Sequence, residues 1–217
     1  MAPDLVIFDC DGVLVDSEPA ALDVLTANLR RHGLDLSHDA AERLFVGGTM
    51  AGAGDAARAR GADLPDDWID GIYAEIYDRL RQGVALVPGV VALLDRLERA
   101  GIPTCVGSNG AEEKMAITLA PSGLLDRFAG RIYSAHTLGV AKPDPGLFLA
   151  AARAFGAAPD RTTVIDDSPT GARAARAAGM ACIGFAARTD PARLIAEGAT
   201  VARDMEQVAR MLDLPPA

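Results

Sequence analysis

The feature that most constrains this chain is a short apolar run that stops dead on acid. Asp4-Leu5-Val6-Ile7-Phe8 gives way at once to Asp9-Cys10-Asp11-Gly12. A run apolar at every position, rather than at every second one, reads as a strand buried on both faces, the kind found in parallel sheets. Similar runs recur at Thr104–Gly107, Arg131–Ser134, Thr162–Ile165 and Ala181–Gly184. Helical patterns separate the later ones. Val90, Leu93, Leu94 and Leu97 form one apolar stripe before Gly101 and Pro103, Phe148, Ala151 and Phe155 form another before Gly156, and an alanine-rich helix runs from Pro169 to Gly179. Strands alternating with helices predict an α/β fold, a doubly wound parallel sheet with right-handed crossovers.

One stretch breaks the alternation. Between Ser17 and Gly83 only helices are legible, with stripes at Leu22, Leu25, Leu29 and at Trp68, Ile72, Ile76, Leu80. The expected organisation is an α/β core made of residues 1–16 and 84–217, with residues 17–83 inserted as a helical cap. Ligands in open α/β sheets bind outside the carboxyl ends of the strands, so an insertion rooted there is expected to act as a lid. Trp68 and Tyr73 are expected in the interior of that cap, and Asp16 at its hinge.

Four polar clusters fall at expected strand ends: Asp9-Cys10-Asp11-Gly12, Ser108-Asn109-Gly110, Lys142-Pro143 and Asp166-Asp167-Ser168. A parallel sheet brings all of them to one edge. Four carboxylates crowded together repel or take up protons unless a cation joins them. Oxygen ligands select a hard cation, and few protein ligands with room for water suit Mg²⁺. Mg²⁺ in turn suggests a phosphorylated substrate. Lys142 offers a compact charge either to a phosphate oxygen or to a carboxylate, and Ser108 with the amides after it resembles an anion nest at a helix start. Each cluster also has a plain structural reading. Asp9 and Asp11 would suit a solvated turn, Ser108 a helix cap, Lys142 an exposed loop, and Asp167 the cap of the helix begun by Pro169. Lysine choice weighs against the plain reading of Lys142: of 21 basic residues only Lys114 and Lys142 are lysines, and arginine is the chain's ordinary surface cation.

Composition excludes several classes. A net charge of −9 argues against nucleic acid, which demands a basic face. The sequence holds no apolar run of membrane-spanning length, and the Met-Ala-Pro-Asp start is unlike a signal peptide, so a cytoplasmic protein is expected, as a monomer or a small homo-oligomer. Cys10, Cys105 and Cys182 show no metal-type spacing and suit a reducing compartment.

Taken in order, Asp9-Cys10-Asp11-Gly12-Val13-Leu14-Val15-Asp16-Ser17, Ser108, Lys142 and Asp166-Asp167 resemble the successive signatures of the haloacid-dehalogenase-like hydrolases. The branch it resembles carries an α-helical cap and contains β-phosphoglucomutase, phosphoglycolate phosphatase and sugar-phosphate phosphatases. The resemblance covers essentially the whole chain. It implies that Asp9 attacks phosphorus to form an aspartyl-phosphate, while Asp11 protonates the leaving oxygen and then activates water. It implies Mg²⁺ on Asp9, the Asp11 carbonyl and Asp167, with Asp166 bound directly or through water. Ser108, the Asn109 amide and Lys142 would hold the phosphoryl oxygens. Lys114, in a segment resembling sugar-acid phosphatases, is either substrate-facing or an exposed lysine paired along its helix.

Asp11 argues against a dehalogenase, which would lack this carboxylate. Mutases of the branch place a histidine where this chain has Ala21 and an arginine near Met50, and the complete acidic and basic set argues against a non-catalytic binding module on the same scaffold, so a phosphatase is expected. Its substrate would be a small phosphorylated metabolite (a sugar phosphate, a sugar-acid phosphate or phosphoglycolate), chosen by cap residues such as Arg43, Thr49, Met50, Arg58 and Arg60.

Overall fold

The fold was obtained as a computed structural model, which describes residues 2–45 and 49–215. Among these, the strands are β1 (Leu5–Phe8), β2 (Val15–Asp16), β3 (Ala85–Leu86), β4 (Thr104–Ser108), β5 (Ile132–Ser134), β6 (Thr162–Asp166), β7 (Ala181–Phe185) and β8 (Thr200–Ala202). The helices are α1 (Glu18–Arg31), α2 (His38–Phe45), α3 (Met50–Arg58), α4 (Trp68–Arg81), α5 (Val90–Arg99), α6 (Glu112–Leu119), α7 (Leu124–Arg127), α8 (Ala135–Leu138), α9 (Gly146–Phe155), α10 (Pro169–Ala177), α11 (Pro191–Ala196) and α12 (Met205–Met211).

Six strands form one parallel sheet in the order β5-β4-β1-β6-β7-β8. The doubly wound α/β fold read from the apolar runs is borne out. β1 lies at the centre, with Phe8 in register with Val106 on one side and Ile165 on the other. The chain therefore leaves β1, β4 and β6 at one level, and their last or next residues are Asp9, Ser108 and Asp166. All four β1 residues are fully buried, which is why that run has no polar position to alternate with.

Helices α9 and α10 pack against this sheet. Leu147, Phe148, Ala151, Ala172, Ala174 and Ala175 join Leu5, Ile7, Cys105 and Val164 in one core. The alanines of α10 bury with almost no side-chain entropy cost and let the helix sit close to the strands. Gly107 does the same from the sheet side. A Cβ there would meet Ile7 at 3.0 Å and the Phe148 ring at 3.2 Å.

By internal contacts the chain divides into two units, residues 1–16 with 85–217, and residues 17–84. In the first, β2 and β3 pair as a separate antiparallel ribbon. Among the described residues of the second, the regular elements are all helices. Leu22, Leu25 and Leu29 of α1 and Trp68, Ile72, Ile76 and Leu80 of α4 supply its buried apolar side chains, and α1 packs on α4. One expectation fails here: Tyr73 is 43% exposed. The buried residues of α4 repeat every fourth position, and Tyr73 follows Ile72 by one residue, about 100° around the helix. The stretch Val46–Gly48, where the sequence led toward the mutase arginine position, lies outside the described residues.

Candidate active site

Backbone geometry sets up the site before any side chain does. After β1 the chain turns sharply. The Leu14 and Val15 amides both donate to the Cys10 carbonyl, at 2.9 and 3.1 Å, and the Gly12 amide donates to the Val15 carbonyl at 2.8 Å. Gly12 sits at φ +74°, and a Cβ there would lie 2.3 Å from Asp167 Oδ2. Only glycine allows both the turn and the approach of that carboxylate. A second glycine does the same one loop away. A Cβ at Gly171, in the first turn of α10, would coincide with the Asp166 carboxylate, 1.9 Å from its carbon.

Three carboxylates gather in this space. Asp9, Asp166 and Asp167 each bring an oxygen to within 4.8 Å of the others. Lys142 reaches in from the loop after α8 and places its ammonium 2.9 Å from Asp9 Oδ2 and 2.8 Å from Asp166 Oδ2. Of the two kinds of partner open to it, this lysine takes carboxylates, and it is buried rather than on an exposed loop. Asn109 fixes it there: the Asn109 Oδ1 accepts the Lys142 amide at 2.8 Å, and its Nδ2 donates to the Lys142 carbonyl at 3.2 Å. Phe148 lies below, its ring centre 5.7 Å from the ammonium, close enough for a cation–π contribution.

Asp166 is completely buried, and both of its oxygens are engaged. Oδ1 accepts the Ser168 amide at 2.9 Å and the Ser168 hydroxyl at 2.7 Å, while Oδ2 accepts Lys142. Asp9 Oδ1 accepts the amide of Cys10 at 2.7 Å. Burial pushes the Asp9 carboxyl up to about 6; Lys142 pulls it back, and the charges of Asp166 and Asp11 add to the rise. For Lys142, burial works against the charged form, but the charges of Asp166 and Asp9 and their hydrogen bonds outweigh it and move its pKa upward. Two carboxylates sharing one ammonium, with a third beside them, gather more carboxylate in one place than Lys142 alone neutralises. That is the donor chemistry a hard divalent cation requires, and Asp9, Asp166 and Asp167 fit Mg²⁺ on that ground.

The remaining predicted residues border this cluster. Ser108 ends β4, and its Oγ accepts the Gly110 amide at 3.1 Å. Ser134, at the end of the neighbouring β5, donates to the Gly110 carbonyl at 2.7 Å, so two strand ends hold the 108–110 loop. Asp11 points its carboxylate at Lys114, 2.7 Å from Nζ. Lys114 is thereby bonded to a carboxylate outside its own helix. Cys10 turns away from both aspartates into the core, 3.9 Å from the Thr118 hydroxyl, and burial with the charges of Asp11 and Asp9 raises its thiol pKa, which leaves it inert. Asp16 accepts from Arg188 at 2.8 Å.

Sequence reasoning placed Gly12 and Ser168 in the polar clusters without giving them a role, and missed the Asn109 side-chain clamp, Gly171 and Ser134. The glycines left a signal, since Gly12 directly follows one acidic cluster and Gly171 stands four residues after the other. The clamp left none, because it joins residues 33 positions apart.

Residues 3–179 match the family described as haloacid dehalogenase-like hydrolase. The chain is 31% identical to hexitol phosphatase A of Escherichia coli over 87% of its own length and 85% of that protein's. It is also 31% identical to SUPPRESSOR OF QUENCHING 1 of Arabidopsis thaliana, with 92% of the chain matching only 19% of that much longer protein. Among solved structures, a hydrolase from Deinococcus radiodurans with bound phosphate and sodium superposes with a TM-score of 0.86 at 31% identity, with full coverage of both chains.

Proposed function

The chain belongs to the haloacid dehalogenase-like hydrolases and is a phosphatase; from that premise we propose that it hydrolyses a small phosphorylated metabolite with Mg²⁺, through an aspartyl-phosphate on Asp9. The substrate would be a sugar phosphate, a sugar-acid phosphate or phosphoglycolate. The observation that carries the reading is the Lys142 ammonium bridging Asp9 and Asp166 beside the Asp167 carboxylate. A buried nucleophile is thereby aimed from a strand end and surrounded by the parts of a cation site.

In the proposed sequence, Asp9 attacks phosphorus and the bond to the leaving oxygen breaks, while Asp11 gives that oxygen its proton. Asp11, now ionised, takes a proton from water as the water attacks the phosphoryl group, and the bond from phosphorus to Asp9 breaks to release inorganic phosphate. Ser108, the Asn109 amide and Lys142 would hold the transferring oxygens. The side chain of Asn109 keeps Lys142 in place, and Phe148 supports it from below. Asp9, the Asp11 carbonyl and Asp167 would hold Mg²⁺. Asp166, whose oxygens serve Lys142 and Ser168, would assist directly or through water. When bound, the cation would neutralise the carboxylates and polarise the phosphoryl group.

Absence of the mutase side chains favours hydrolysis over isomerisation. Ala21 lies on α1 and Met50 opens α3, and neither can restrain an aspartyl-phosphate from water. The test is a panel of sugar, sugar-acid and glycolate phosphates, with and without Mg²⁺, plus β-glucose 1-phosphate with a trace of its bisphosphate followed by phosphorus NMR. We expect inorganic phosphate release that chelator abolishes and Mg²⁺ restores. Glucose 6-phosphate appearing faster than free phosphate would replace the phosphatase with a mutase, and full activity in excess chelator would refute the metal.

A further inference from the structure

The chain owns two lysines, and each is bonded to one aspartate of the Asp9-Cys10-Asp11 turn: Lys142 to Asp9 and Lys114 to Asp11. Ion pairs elsewhere, such as Arg30–Asp35, Arg81–Asp78 and Arg173–Glu197, use arginine. From this pairing we infer that Lys114 is a positioning residue for Asp11, holding the carboxylate at the angle from which it exchanges a proton with the leaving oxygen. The inference rests on the reading of Asp11 as acid and base.

Three features of the surroundings favour it over an incidental contact. Lys114 stands in the first turn of α6, where the helix dipole disfavours a cation, so the placement needs an anion to offset it. From that turn the ammonium reaches back 103 residues to Asp11, at 2.7 Å. The lysine stem also runs in ordinary contact range of Gly110. A Cβ on Gly110 would lie 3.4 Å from Ser108 Oγ, 3.9 Å from Asp11 Oδ2 and 3.9 Å from Lys114 Cδ. The stem thus passes alongside the loop expected to take the phosphate. Lysine suits the task better than arginine, because a point charge on a flexible stem can follow a carboxylate that swings, whereas a planar fork fixes it in one plane.

The leaving group distinguishes the two roles open to Lys114. An alkyl alkoxide must be protonated as it departs, but p-nitrophenolate leaves without help. If Lys114 acts through Asp11, Lys114→Met should lower kcat/KM for an alkyl phosphate about 10- to 100-fold, within the usual scale of general acid catalysis. For p-nitrophenyl phosphate the loss should stay under about threefold, since no acid is needed. Lys114→Arg should keep alkyl activity within about tenfold of the parent, because the charge remains. In an Asp11→Asn background, Lys114→Met should change the alkyl rate less than about threefold, the non-additivity of residues that act as a unit.

The experiment measures kcat/KM for the parent, the three single variants and the double variant, on both substrates, with Mg²⁺ present. Equal losses on the two substrates would overturn the inference and make Lys114 a phosphate-binding group. No loss on either, or full additivity with Asp11→Asn, would overturn it as well. Failure of the underlying reading looks different, because Asp11→Asn alone would then retain alkyl phosphatase activity.

Discussion

Both units of the molecule bury polar side chains, and they do so on opposite principles. In the helical unit, Asn28 accepts the Trp68 indole N–H at 2.7 Å and donates to Glu75 at 3.0 Å, with Arg31 closing on the same glutamate at the surface. The buried part of that network is neutral and satisfied, and its net worth is about 1 kcal/mol per bond. In the α/β unit, Asp9, Lys142 and Asp166 are buried as charges, and the charges do not balance. The first arrangement holds two helices together. The second costs stability by itself and makes sense only when something else arrives, a cation and a phosphoryl group. Buried polarity marks a site when it is left incomplete, and marks a fold when it is closed.

The sharpest way to break this comparison is Asp9→Asn. Turnover should fall by roughly three orders of magnitude or more, because the covalent step is gone. Stability should not follow. The folded-state pKa of Asp9 is raised to about 6, so its stabilising contribution is complete below the ordinary carboxylate pKa and is lost as pH rises through about 6. Metal-free Asp9→Asn should therefore melt no lower than the metal-free parent at pH 8. Melting well below the parent would show that Asp9 is a structural ion-pair partner after all.

Next comes the contrast between the two adjacent aspartates of the fourth cluster. Asp166→Ala removes a buried partner from Lys142 and the acceptor of the Ser168 hydroxyl, and should cost about 3–5 kcal/mol of folding stability by the behaviour of broken buried pairs. Asp167, half-buried beside Gly12, should tolerate Asp167→Ala in the fold but demand far more Mg²⁺ for half-maximal activity. Denaturant melts and Mg²⁺ titrations separate the two, and an exchange of the two phenotypes would reverse the assignment.

The helical unit supplies the smallest effect. Trp68→Phe leaves Asn28 Oδ1 without its donor in a buried place and should cost about 1–3 kcal/mol, while kcat stays within about threefold of the parent, since only a closed network has been opened. A loss of kcat like that of Asp9→Asn, at intact stability, would place Trp68 in the chemistry.

How much of this was legible beforehand follows the same division. β1, β4, β6 and β7 were readable because four or five consecutive buried residues leave an unmistakable apolar run. β8, whose first residue is exposed and second only half-buried, and the two-residue β2 and β3 are too short to show any period. The residues Asp9, Ser108, Lys142 and Asp166 could be placed together because a parallel sheet aligns its strand ends. Which oxygen each cation would take depends on side-chain reach across more than a hundred positions in the case of Lys114, and local sequence does not encode that. Aromatic character alone does not bury Tyr73, which stands one step off the buried stripe.

The central claim is that phosphate passes through Asp9, and it can be caught chemically. Quenching the enzyme during turnover with substrate and Mg²⁺, then reducing with borohydride, converts an aspartyl-phosphate to homoserine. The account predicts homoserine at position 9, found by peptide mass spectrometry and absent when substrate or Mg²⁺ is left out. Turnover at full rate with position 9 always recovered as unmodified aspartate, or with homoserine at another aspartate, would contradict it.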